Sequence, residues 1–134
     1  MNDLCRQAVY EGGLTLSSSG RQWRDFIPLS DVAQATRHLL ALPSLTACPD
    51  VINLSLGASM TVREMAGLIL ERARLMVQSD LALDIADHSA EPDYPPLTIS
   101  NQRLLQSGFA FSADTAREID GLLRFCMDTL SPQH

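Results

Sequence analysis

Apolar residues recur along the chain with two periods, and their alternation predicts an α/β fold of about four helices and short strands. Asn2 to Glu11 reads as a helix that Asn2 or Asp3 can cap, with Leu4, Ala8 and Val9 on one side and Gly12-Gly13 as its stop. Leu14-Thr15-Leu16 is a brief strand that runs into Ser17-Ser18-Ser19-Gly20. Trp23, Phe26, Ile27 and Leu29 are the β-formers of a second strand, and Pro28 confines it to an edge or an end. Ser30 or Asp31 then caps a helix whose Val32, Ala35, Leu39 and Leu42 fall on one face. Pro43 to Pro49 is a loop. Val51 to Leu56 alternates as a strand, with Ile52, Leu54 and Leu56 on one side and Gly57-Ala58-Ser59 as the turn after it. Thr61 and Glu64 form a capping box for a helix carrying Val62, Met65, Ala66, Ile69, Ala73 and Met76 as one stripe. Leu81 to Ala86 is a strand with Asp84 toward water, followed by a polar, proline-rich loop from Asp87 to Pro96. Asp114 caps a last helix with Ile119, Leu122, Leu123, Cys126 and Leu130 on one face, and Ser131 to His134 is a frayed end. No repeat, low-complexity tract or internal boundary interrupts the 134 residues, so the expectation is one domain.

Composition narrows the function classes. A hydrophobic share of 46% against 19% charged residues belongs to a chain that buries a core. The net charge is −6 with the acidic residues scattered, which argues against nucleic acid and against an anionic membrane surface as partners. No run approaches the length of a membrane span, since the apolar stretch from Leu39 to Leu45 is broken by Pro43. The first residues, MNDLCRQ, carry no apolar signal-like run. Cys5, Cys48 and Cys126 are odd in number and widely spaced, which reads as reduced thiols in a cytoplasmic compartment.

Candidate chemistry gathers at one place. Arg21, Arg24 and Asp25 stand at the start of the second strand, beside the serine loop. A guanidinium on a rigid element next to such a loop suits a two-donor grip on phosphate. Elsewhere the signals are bland. His38 lies at the flank of the central helix, and His88 sits among Asp84, Asp87, Glu91 and Asp93 without a metal-ligand spacing. No G-x-S-x-G turn marks a nucleophilic serine.

The segment from Gly20 to Ala35, GRQWRDFIPLSDVAQA, resembles the G-x-Q-x-RDF-(I/V)-x-V-x-DVAxA segment of the extended short-chain dehydrogenase/reductase family, which contains the NAD-dependent nucleotide-sugar epimerases and dehydratases. The resemblance continues through Asn53 and Gly57, the Thr61-Val-Arg-Glu64 helix start, and Leu97 to Phe109 (LTISNQRLLQSGF). It implies the C-terminal, substrate-binding part of a Rossmann-type fold, without the N-terminal half that holds the dinucleotide. It also implies Arg24 as a ligand of the substrate's diphosphate, helped by Gln22 and Arg21, and Asn53 as either a substrate contact or a loop anchor. The chain departs from the pattern at Ser17 to Ser19, where the family has an aromatic residue and a glycine near the base. It departs again at Glu91, where the family has a second diphosphate-binding arginine. Arg103 and Ser100 stand for the usual lysine and aspartate. A carboxylate at position 91 repels a diphosphate, so either Arg21 or another arginine takes that part or the ligand site has changed.

The family's hydride transfer needs a glycine-rich turn and a Tyr-x-x-x-Lys pair. The glycines at 12, 13, 20, 57, 67, 108 and 121 do not form the turn. The chain has no lysine, Tyr10 being followed four residues on by Leu14 and Tyr94 by Thr98. The sequence therefore predicts no catalytic residue, no metal and no cofactor of its own. It predicts a nucleotide-sugar ligand and a partner that is the N-terminal half, another subunit or a second copy. The alternative is a non-catalytic binding or oligomerisation module derived from the same family.

Overall fold

In the computed structural model, residues 1–43, 51–86, 92 and 94–129 are described. The order is α1 (Asn2–Tyr10), β1 (Gly13–Leu16), β2 (Trp23–Arg24), α2 (Leu29–Leu40), β3 (Met60–Thr61), α3 (Val62–Val77), β4 (Ala82–Ile85), α4 (Gln102–Gln106) and α5 (Thr115–Thr129). β1 and β4 pair in parallel, from Gly13 opposite Ala82 to Leu16 opposite Ile85. β2 and β3 pair antiparallel, Trp23 opposite Thr61 and Arg24 opposite Met60.

The main core lies where α1, α3 and α5 meet the parallel pair. Leu14, Met65, Ile69, Ile119 and Leu123 are all buried there, so the apolar stripes of the sequence turn inward as their periods require. Ala8, Ala66 and Ala73, small and buried, let the helices approach closely. Arg72 of α3 grips Asp120 of α5 with two donors, Nε reaching Oδ1 at 2.7 Å. That hydrogen bond raises the guanidinium's pKa and lowers the carboxyl's. A smaller core forms where Ala35 of α2 meets Leu104 and Phe109.

Several local expectations are corrected. The strand expected from Trp23 to Leu29 is only two residues long, because Pro28 occupies the N-cap position of α2 with an extended backbone and Leu29 already belongs to the helix. Neither Ser30 nor Asp31 caps α2. Ser30 donates to Glu118 of α5, and Asp31 is fully buried, accepting from the backbone N–H groups of Ser112 and Ala113 at 3.1 and 3.2 Å. Neither Asn2 nor Asp3 caps α1 with its side chain. Val51 to Leu56 forms no strand. Ser55, not Leu54, is its most buried residue, at 0% exposure against 37%.

Other expectations stand. The Thr61/Glu64 capping box is present, and hydrogen bonds from the Thr61 backbone and hydroxyl lower the Glu64 carboxyl's pKa. The Asp114 carboxylate accepts from the Ala116 N–H at 2.9 Å at the start of α5. Cys5 and Cys126 are free and buried, and burial pushes the Cys5 thiol up to about 11. Cys48, His88, Glu91, Leu130 and the expected frayed end lie outside the described residues.

Candidate functional site

The loop before β2 is set by backbone before any side chain acts. A helix begins with N–H groups that lack partners in its own turn. Two of those in α3 donate to this loop, Val62 N–H to the Gln22 carbonyl at 3.0 Å and Arg63 N–H to the Gly20 carbonyl at 2.9 Å. Gly20 sits at φ +71°, and a Cβ on it would lie 2.9 Å from Leu16 Cδ1 and 3.1 Å from the Arg63 backbone nitrogen. Only glycine lets the loop lie this close to the helix end. β2 then pairs with β3, whose Thr61 is itself the cap of α3. Arg24 is thereby held next to the start of α3, opposite Met60.

Gln22, Trp23 and Arg24 line a cleft of 490 Å³ together with Tyr94, Pro95, Pro96, Leu97 and Thr98. The Arg24 side chain is exposed and donates from Nη1 to the Trp23 carbonyl at 2.9 Å. It makes no ion pair with any described residue. Gln22 Oε1 accepts from Ser18 Oγ at 3.4 Å, which ties the serine loop to the cleft's edge. The structure thus brings two of the three residues singled out in the sequence, Gln22 and Arg24, to one cavity. Arg21 is exposed on the same loop, its backbone N–H donating to Ser19 Oγ at 3.3 Å, and is not among the lining residues.

The wall from Tyr94 to Thr98 escaped the sequence reading. Prolines and an aromatic in an irregular stretch carry no period, and only closure of the chain onto β2 makes them a wall. A tie beside the cleft also escaped it. Asp25, next to Arg24, accepts from Ser55 Oγ and from the Leu56 N–H at 3.2 Å. Ser55 Oγ is also 3.0 Å from the Ile99 carbonyl oxygen, next to Thr98. Asn53 donates to the Ser100 carbonyl at 3.1 Å, so it acts as a loop anchor.

Other candidates resolve into structural roles. His38 Nε2 lies 3.0 Å from both the hydroxyl and the carbonyl of Ser107, and its ring is tilted at 55° to that of Phe109 with the centroids 5.7 Å apart. It also borders a second, shallow cleft of 450 Å³ with Gln34 and Arg37. Among the described residues no group of three His, Cys, Asp or Glu is placed to hold a metal ion. β1 runs into the serine loop and β2 with no helix opening at its end, so no helix N-terminus is offered to a pyrophosphate there.

The architecture and the cleft together have the fold of the C-terminal portion of extended short-chain dehydrogenases/reductases, the NAD-dependent nucleotide-sugar epimerases and dehydratases. Among similar solved structures is a UDP-N-acetylglucosamine 4-epimerase from Methanobrevibacter ruminantium in complex with UDP-N-acetylmuramic acid. It is 20% identical with a TM-score of 0.72, over 96% of this chain and 39% of that one. RMD from Pseudomonas aeruginosa, complexed with NADPH, is 19% identical with a TM-score of 0.75, over 96% and 41%. A UDP-glucuronic acid 4-epimerase from Bacillus cereus, in complex with UDP-glucuronic acid and NAD, is 14% identical with a TM-score of 0.71, over 94% and 38%. At these identities the likeness establishes the fold. The chain spans about two fifths of the length of these structures. No protein-family model matches the sequence, and no curated protein does. No helix among the described residues is long and apolar enough to cross a membrane.

Proposed function

We propose that this chain is the nucleotide-sugar-binding part of a cytoplasmic NAD-dependent sugar epimerase or dehydratase, with Arg24 as the ligand of the substrate's diphosphate. The observation that carries the reading is the 490 Å³ cleft in which Arg24 and Gln22 stand beside an aromatic and proline-rich lining. A guanidinium offers two parallel donors to phosphate oxygens. Trp23, Tyr94 and the two prolines offer apolar faces on which a base or sugar ring can lie. Gln22 and Thr98 add neutral donors and acceptors that orient the ligand without cancelling the cation. Arg21, on the adjoining loop, supplies a second positive charge at longer range.

In this reading the chain binds and orients but transfers neither hydride nor proton. Its 134 residues contain no lysine and no glycine-rich strand–turn–helix, so the nicotinamide and the acid–base pair belong to polypeptide beyond them. Calorimetric titration of the protein with UDP-, dTDP- and GDP-sugars tests the proposal. Saturable heat with at least one, weakened by added salt, is expected. Absence of heat with all three overturns it.

A second reading, a non-catalytic assembly module, is favoured by one feature. Leu29 and Leu40 are each 79% exposed and Val51 is 63% exposed, although α2 presents its inner face to the smaller core. An apolar surface of this kind fits a covering partner, either the N-terminal half or a second copy. Light scattering that finds only monomer, with no apolar-dye binding, removes this reading.

A further inference from the structure

Two segments that line the cleft are joined by one buried hydroxyl, and we infer that Ser55 is a positioning residue that sets how far apart they stand. Ser55 is fully buried. Its Oγ reaches the carboxylate of Asp25, which directly follows Arg24. The same Oγ lies 3.0 Å from the carbonyl oxygen of Ile99, which directly follows Thr98. It also accepts from the Gly57 N–H at 2.9 Å, which fixes the hydroxyl's own position. The hydroxyl has one proton, so at any moment it donates either to the Asp25 carboxylate or to the Ile99 carbonyl, and the segment bearing Gln22, Trp23 and Arg24 and the segment from Tyr94 to Thr98 share that one donor, one residue beyond the cleft.

Neighbouring contacts tie residues 51–57 to residues 99–103. Arg103 Nη1 donates to the Val51 carbonyl at 2.9 Å. Gly57, at φ +74°, allows an approach in which a Cβ would lie 2.8 Å from Asn101 Nδ2. None of these reaches β2. The route to β2 runs through Asp25, which Ser55 and the Leu56 N–H share. A hydrogen bond to a charged acceptor in a buried site is short and directional, so it holds a geometry better than apolar packing does. Ser55 lies outside the core built by α1, α3 and α5, so its loss loosens the cleft before it loosens the fold.

The test compares the protein with its Ser55→Ala and Ser55→Cys variants by nuclear magnetic resonance and calorimetry. In Ser55→Ala the backbone order parameters of Leu97 to Asn101 are expected to fall from about 0.85 toward 0.6, while those of α3 and α5 stay unchanged. The affinity for UDP-N-acetylglucosamine is expected to fall about tenfold at unchanged helix content. Ser55→Cys, which keeps a weak donor, is expected to lie between the two. The affinity arm rests on the proposed nucleotide-sugar ligand, and the order-parameter arm does not. A wild-type protein that binds no sugar nucleotide but loosens at 97–101 on loss of the hydroxyl overturns the proposed function and leaves the positioning role standing. Unchanged order parameters at 97–101, or loosening spread equally over α3 and α5, overturns the positioning role. If Ser55→Ala does not fold, Ser55→Cys is judged by the same two criteria.

Discussion

Gly20 and Gly12 share one backbone conformation and differ only in their surroundings, which makes them a matched pair for testing how the cleft is held. Both lie at φ +71°. A Cβ on Gly12 would meet nothing within 4 Å, whereas one on Gly20 would lie 2.9 Å from Leu16 Cδ1, 3.0 Å from Arg63 Cβ and 3.1 Å from the Arg63 nitrogen. Alanine in the left-handed region costs about 1–2 kcal/mol, of which about 0.4–1 kcal/mol is offset by a less flexible unfolded chain. Gly12→Ala is therefore expected to destabilise by about 0.5–1 kcal/mol. Gly20→Ala adds overpacking of about 1–3 kcal/mol. The Leu16 methyl can swing aside, but the Arg63 nitrogen cannot, because it donates to the Gly20 carbonyl itself. The expected total is about 2–4 kcal/mol, within the ~5–15 kcal/mol that a domain usually has. Urea unfolding followed by the fluorescence of Trp23, the only tryptophan, measures both. With a slope of about 1.5 kcal/mol/M, the midpoint falls by about 0.5 M for Gly12→Ala and about 1.5–2.5 M for Gly20→Ala. Equal shifts for the two would refute the close approach of the loop to α3.

Further outcomes follow from the buried polar groups and the core. Asp31→Ala leaves the Ser112 and Ala113 N–H groups without their acceptor and is expected to cost about 3 kcal/mol, against about 1 kcal/mol for Asp31→Asn, both read from thermal unfolding. Stability is expected to be flat from pH 7 to about pH 5. Glu64 and Asp120 are held below their ordinary values of 4.5 and 3.8, so what they contribute is present above those values and is lost as pH falls through the lower, folded-state ones. A loss that sets in above about pH 6 would contradict that assignment. Cys5, with its thiol pushed up to about 11 and fully buried, is expected to react with iodoacetamide at about pH 8 only at the rate of unfolding, as mass spectrometry of the Cys5 peptide would report.

Helices were the legible part of this fold. α3 and α5 carry long stripes of period 3.6 and capping residues at the right offsets, and both form where those signals lie. β1 and β4 were legible as strands, but their parallel pairing was not, because 66 residues separate Leu16 from Leu83 and no local signal bridges them. α4, five residues long, has no period to detect. The failure at Val51 to Leu56 is instructive. Alternation placed Leu54 and its apolar neighbours inward, yet the Ser55 hydroxyl, whose one proton is shared between the Asp25 carboxylate and the Ile99 carbonyl, decided which side is buried. A tertiary tie between polar groups outweighed a local apolar pattern. Likewise Asp31, in place to be a cap, is drawn to the loop before α5. At the cleft, Arg24 and Gln22 were legible because the RDF segment is contiguous, whereas Tyr94 to Thr98 reach it only through the fold.

The central claim is that the Arg24 guanidinium meets a diphosphate in the cleft. Following the Arg24 Nε–H resonance during titration with UDP-N-acetylglucosamine tests it most directly. The expected result is a saturable shift of that signal together with those of Gln22 and Thr98, lost in Arg24→Gln. A nucleotide-sugar that binds while the Arg24 signal stays still, or no binding at all, would contradict it.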